Sequence, residues 1–267
     1  MMDQKTLEKI ELLLDYQHFV AIGHLLKADQ SQQAKEVLAL VDLAQAIIAT
    51  DLGKVKALAQ GTKYAFILEG SFIERRTYAY FQTMTRQIWQ EEYGDYLRAL
   101  TPMLVDVFRL AVIQAVEPNL ARYIQPISKA TVQGQVIYRG LQWDQSAIES
   151  HPNKIRETWQ KHYGDHFNYD HYVSSSHLIK LLEDHARNQD LVDRCQQMRE
   201  IEKYLRNLAA HESVLVDVKY FTDRLQVTPV QVHQALLALM QAVGLNKKEK
   251  ITIIEAIQAD IRQRLVQ

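Results

Sequence analysis

The sequence predicts an all-α protein, and three features carry that expectation. Glycine and proline are scarce, 9 and 5 in 267 residues, so long helices are favoured over many tight turns. Apolar residues recur at helical intervals through the first hundred positions. Several helix starts are also written as a capping residue followed by a helix-compatible one.

Taken in order, Leu7, Ile10, Leu13, Leu14, Phe19, Ile22 and Leu26 keep approximate helical spacing, and Val37, Leu40, Val41, Ala44, Ile47 and Ile48 do the same. Asp29-Gln30-Ser31 reads as the break between these runs, with Ser31 as N-cap. Tyr78, Phe81, Thr85, Trp89 and Tyr93 form an aromatic stripe, read as packing. Thr101-Pro102 puts a hydroxyl before a proline and predicts a helix start. Thr228-Pro229-Val230-Gln231 repeats the device and adds a capping-box Gln. Gly244 marks a helix end, and Asn246 with Glu249 a new start. Between Glu117 and Tyr172 periodicity weakens, and a short β-hairpin is expected near 131–139. A boundary near residue 130 divides a helical connecting domain, 1–130, from a second helical domain, 131–267.

Composition is that of a folded globular chain, 47% hydrophobic and 24% charged. The formal net charge of −1 excludes a protein that binds nucleic acid through bulk charge, so such binding would need a local basic cleft. The single Cys195 forms no internal disulfide, which makes the cytoplasm the expected compartment. Cys195 also lacks a neighbouring His/Asp arrangement that would make it a nucleophile. The start of the chain does not resemble a signal peptide. The apolar stretch from Leu104 to Val116 is interrupted by Asp106, Arg109 and Gln114 and is too short to span a bilayer.

The chemistry concentrates in a helix expected from about Asp190 to Glu212. Leu191, Met198, Ile201, Leu205 and Leu208 supply its apolar positions. Arg199, Lys203 and Arg206 are spaced four and then three, so they form one cationic ridge suited to phosphate. Arg199 and Lys203 are the candidate RNA-binding residues; Arg206, Asn207 and His211 are the candidate catalytic ones. His carries protons near neutral pH, and Arg stabilises charge building on phosphate oxygens. That pair can cleave RNA with the neighbouring 2′-OH as nucleophile, without metal or cofactor, while DNA is spared. At about 100° per residue, however, Arg206 and His211 diverge by roughly 140° around a straight helix. Either the helix end unwinds, or two copies of the chain share one cleft in a homodimer. Spacing alone is weak: Arg156 and His162 nearly repeat it. On spacing alone, Arg206 reads as a solvated helix residue and His211 as a complement to the helix C-terminus.

The run Arg206-Asn207-Leu208-Ala209-Ala210-His211-Glu212 resembles the signature of the HEPN nuclease superfamily. Asp15-Tyr16 and the run from Tyr93 to Leu104 are similar to the helical region of CRISPR-associated CARF–HEPN ribonucleases, the Csm-type ancillary nucleases of type III systems. The helices after His211 are similar to the end of that family. The resemblance implies a metal-independent endoribonuclease for single-stranded RNA in antiviral defence. It implies a homodimer with Arg206 and His211 catalytic and Asn207 supporting, and it makes 131–267 the HEPN domain. It also implies activation by cyclic oligoadenylate bound to an N-terminal CARF domain. A CARF domain starts with a strand-rich region, whereas this chain starts with helices. The expectation is therefore a chain without that sensor, and no activator-binding residues are assigned.

Two rival readings come from other classes. One is a catalytically inactive helical dimerisation or interaction module. The other is a metal site among His162, His166 and His171 with Asp165 and Asp170, which Gly164 weakens by breaking the helix. His177 and His185 share a stripe with Leu181 and are expected to pack.

Overall fold

A computed structural model describes residues 4–29, 31–206 and 214–266, with the side chain of Arg206 excepted. The chain is helical apart from one two-stranded antiparallel sheet among the described residues, as the apolar periodicity predicts. It divides into two compact units, residues 1–96 with 245–267, and 97–244.

The first unit starts with α1 (Gln4–Asp15), α2 (Phe19–Lys27), α3 (Gln32–Ile48), α4 (Leu52–Ala59) and α5 (Phe72–Trp89). It ends with the helices Lys248–Ile251 and Ile253–Val266. Its core joins Ile10, Leu14, Phe19, Ile22, Val41 and Ile47 to Ile257 and Ile261 from the C-terminal helix. Polar contacts fix the same docking: the Gln258 amide donates to the Leu14 carbonyl at 2.5 Å and Gln82 to the Ile251 carbonyl at 2.8 Å. The first apolar run is two helices, because Gln17 turns left-handed at φ 55° between them. Ser31 caps α3 as expected, its hydroxyl accepting from the Ala34 amide at 3.2 Å. In the aromatic stripe Tyr78 and Phe81 are buried, but Trp89 is 64% exposed, with its indole donating to the Asp15 carbonyl.

The second unit contains α6 (Tyr93–Ala115) from Leu97 onward, the strands β1 (Ile124–Ala130) and β2 (Val136–Trp143), α7 (Gln145–Glu149), α8 (Lys154–Tyr163), α9 (Ser175–His185) and α10 (Gln189–Ile201). A π-helical turn, Glu202–Arg206, extends α10, and the helices Val218–Leu225 and Pro229–Ala242 follow. α10 packs against α9 and against Pro229–Ala242.

Thr101-Pro102 does not start a helix: α6 runs through Pro102. A proline inside a helix costs about 3 kcal/mol. Here an unbroken apolar face continues across it, with Leu97, Leu100, Leu104, Val107 and Phe108 all fully buried, and that packing prevails. The hairpin exists, but 131–139 covers its turn and the beginning of β2; the strands flank the turn from Ile124 to Trp143. Gly134, at φ 79°, forms that turn. Thr228 caps its helix in a full capping box with Gln231. Asn246 is not the next cap; the residue before Lys248–Ile251 is Lys247, whose side chain does not cap. Among the described residues no helix is long and apolar enough to cross a membrane.

Candidate active site

The expected helix from Asp190 to Glu212 starts as predicted and then changes geometry. Asn188 caps it, its side chain accepting from the Leu191 amide. Leu191, Cys195, Met198, Ile201 and Leu205 are buried along one stripe. At Glu202 the ladder widens from α to π, where N–H groups bond five residues back and residues five apart turn toward a common face. The departure from a straight helix therefore begins before Arg206. Arg206 closes the π turn; its side chain, Asn207 and His211 lie outside the described residues, as does Leu208.

Two buried clamps hold this turn. At its start the Glu202 carboxylate is 4% exposed, on the apolar stripe between Ile201 and Leu205. One oxygen accepts from the Thr101 hydroxyl of α6 at 2.6 Å. The other accepts from the Ser175 hydroxyl, at the first position of α9, at 2.6 Å and from the Arg199 guanidinium at 3.0 Å. Opposite charge, two hydroxyl donors and a helix N-terminus together stabilise the buried anion. At the end of the turn the Tyr220 hydroxyl donates to the Leu205 carbonyl at 2.9 Å. The Arg224 guanidinium lies 3.7 Å from the centre of the Tyr220 ring and packs over it.

The cationic ridge is divided by these contacts. Arg199 is turned inward to Glu202, whereas Lys203 is exposed, its ammonium 5.2 Å from the ring of the exposed Tyr204. Arg194 pairs with Asp190 within the first turns of the helix.

Other candidate groups go elsewhere. His162 contacts Asp184 at 3.0 Å, a carboxylate that Lys161 also binds. Among the described residues no three His, Cys, Asp or Glu side chains come together to hold a metal ion. Arg156 donates to the Glu149 carbonyl. His177 is buried and accepts from the Trp143 indole at 3.1 Å through Nδ1, which fixes the neutral tautomer with its proton on Nε2. Burial, helped by the charges of His171 and Lys180, pushes its pKa down to about 4. His185 lies 3.1 Å from Thr158 Oγ1 and 3.1 Å from the Lys154 carbonyl, so both histidines pack. Cys195 is fully buried and its thiol is pushed up to about 12, which leaves no thiolate for catalysis near neutral pH.

Sequence reasoning missed Glu202, Thr101, Ser175 and Tyr220. One signal was available: Met198, Ile201, Glu202 and Leu205 stand at helical spacing, so a carboxylate falls on the apolar face.

The site thus lies in a mostly helical unit in which α10 widens into a clamped π turn, Glu202–Arg206, where the Arg206-to-His211 run of the sequence begins. The family description "Cas_Csm6 HEPN domain" matches residues 66–262, so the chain belongs to that family, which is one of CRISPR-associated ribonucleases. Among solved structures, Enterococcus italicus Csm6 bound to cyclic hexa-2'-fluoro-hexa-dAMP shares the fold, with a TM-score of 0.69 over 97% of this chain at 10% identity. The chain spans 57% of that protein's length. A search of curated proteins returned no match.

Proposed function

We propose that the chain is a metal-independent endoribonuclease that cuts single-stranded RNA by attack of the 2′-OH on the adjacent phosphate. The observation that carries this reading is the family match over 66–262, which encloses the whole Arg206-to-His211 run. Arg206 stabilises the charge that develops on the phosphate oxygens, His211 moves the proton of the 2′-OH or leaving group, and Asn207 supports them. Lys203 and Tyr204, both exposed on the turn, offer the incoming strand a cation and a stacking face. Arg199 acts from behind, as the partner of Glu202. The machinery lies in the segment 131–267, completed by Thr101. Two chains supply one cleft, as the family resemblance implies. A cyclic oligoadenylate activator is a further partner, supported by the likeness to a Csm6 bound to cyclic hexa-2'-fluoro-hexa-dAMP, and no residue of this chain is assigned to it.

The test incubates the purified chain with labelled single-stranded RNA and the matching DNA in EDTA, beside Arg206→Ala and His211→Ala. RNA cleavage that persists in EDTA and disappears in both variants is expected, with DNA untouched. Cleavage abolished by EDTA overturns the mechanism, and unchanged cleavage in both variants overturns the site. Cleavage by none of the samples favours the inactive interaction module.

A further inference from the structure

The geometry points to Glu202 as a positioning residue that sets where the π turn places the backbone of Arg206. This rests on the nuclease reading. A π turn inserts an extra residue into the ladder and persists only where the surrounding structure holds it. Glu202 is the first residue of that turn, and its carboxylate is held on both oxygens by donors from α6, from α9 and from the preceding turn of its own helix. Thr101 fixes one oxygen; Ser175 and Arg199 fix the other. With both oxygens held, the plane of the carboxylate is fixed, and with it the start of the turn. The Tyr220 hydroxyl fixes the other end through the Leu205 carbonyl, next to Arg206 in the chain.

An apolar residue would fill the same place on the stripe at no electrostatic cost. Burying a charge there is sensible where orientation matters more than stability, because hydrogen bonds are directional and hydrocarbon contacts are not. Glu202 itself faces inward and touches no substrate. It acts through the backbone between itself and Arg206.

The experiment compares wild type, Glu202→Gln, Thr101→Val, Ser175→Ala and Thr101→Val/Glu202→Gln, with Arg206→Ala as reference. Glu202→Gln keeps the shape but removes the charge and one of the two acceptor oxygens. At a temperature well below every melting point, its kcat is expected to fall on the order of tenfold to a hundredfold, the scale of a small misplacement of reacting groups. KM stays within about threefold, since no RNA contact is removed. Thr101→Val and Ser175→Ala each lower kcat several-fold, and the double variant is no slower than Glu202→Gln alone, because Thr101 works only through Glu202. A Glu202→Gln kcat within about threefold of wild type, or a rise in KM with kcat unchanged, overturns the inference. Should Glu202→Gln fail to fold, Thr101→Val and Ser175→Ala decide by the same criteria. Hydrogen exchange at the amides of Lys203 to Arg206 gives a readout independent of activity. It is expected to quicken on the order of tenfold in Glu202→Gln while the amides of α9 stay protected. If wild type does not cleave RNA, or Arg206→Ala cleaves as well as wild type, the nuclease reading fails. Unchanged exchange alone then overturns the role of Glu202.

Discussion

Acidification should weaken the second unit through His177, by an amount that the structure sets. In the unfolded chain an imidazole titrates near 6.5; in the fold, burial moves His177 to about 4. The fold therefore favours the neutral ring, which accepts the Trp143 N–H at 3.1 Å and has no room for a second proton on Nδ1. Because the folded pKa is the lower one, the stabilisation is fully present above 6.5 and is lost as pH falls toward 4. At 1.36 kcal/mol per pH unit, the loss is about 2 kcal/mol at pH 5 and about 3 kcal/mol at pH 4. Carboxylates and His233, whose pKa burial also lowers to about 4, titrate in overlapping ranges, so wild type alone does not isolate the effect. His177→Gln does: the amide oxygen can accept from Trp143 but does not ionise. Urea unfolding of both proteins at pH 7 and pH 5 gives the two differences in stability. The advantage of wild type over the variant should shrink by about 2 kcal/mol between these pH values. An advantage that is the same at both pH values refutes the assignment of His177 as a neutral buried acceptor.

Three further outcomes follow from single contacts. Tyr220→Phe removes the hydrogen bond to the Leu205 carbonyl and should cost about 0.5–1.5 kcal/mol in thermal or urea unfolding; an unchanged midpoint contradicts the clamp. Cys195 should resist a thiol reagent in the native protein at pH 8 and react fully once urea unfolds the chain, as its burial and raised pKa require. Thr228→Ala removes the acceptor for the Gln231 amide and should cost about 1 kcal/mol by the same unfolding measurement, whereas Thr228→Ser should retain most of that.

The helices were legible because their apolar faces repeat at the helical period and their caps are local. Ser31 and Thr228 bond amides three residues ahead, so the sequence around them contains the whole device. Pro102 misled for the same reason. Thr101-Pro102 has the local form of a helix start, but the decision lay with the apolar face that α6 buries on both sides of the proline. The hairpin was displaced because Thr131 to Arg139 alternates, whereas β1 contains Pro126 and a bulge after Ile127 that obscure its period. The Arg206-to-His211 run, proposed as catalytic and with Asn207 to His211 outside the described residues, was visible as a motif in its own residues. The support behind it was not: Thr101 and Ser175 stand 101 and 27 positions before Glu202, and nothing local indicates that their hydroxyls meet its carboxylate. Arg199 belongs to the predicted cationic ridge by spacing, but a charge paired inward looks the same in sequence as one that faces solvent.

The central claim, cleavage by the substrate's own 2′-OH, is tested most directly with a defined RNA that the chain cuts at one mapped phosphate. Replacing only the ribose on the 5′ side of that phosphate with deoxyribose removes the nucleophile and leaves the rest of the substrate unchanged. The account predicts that this cut disappears in EDTA buffer, while the all-ribose strand is cut at the same position and leaves a 2′,3′-cyclic phosphate. Cleavage of the substituted strand at an undiminished rate would contradict it.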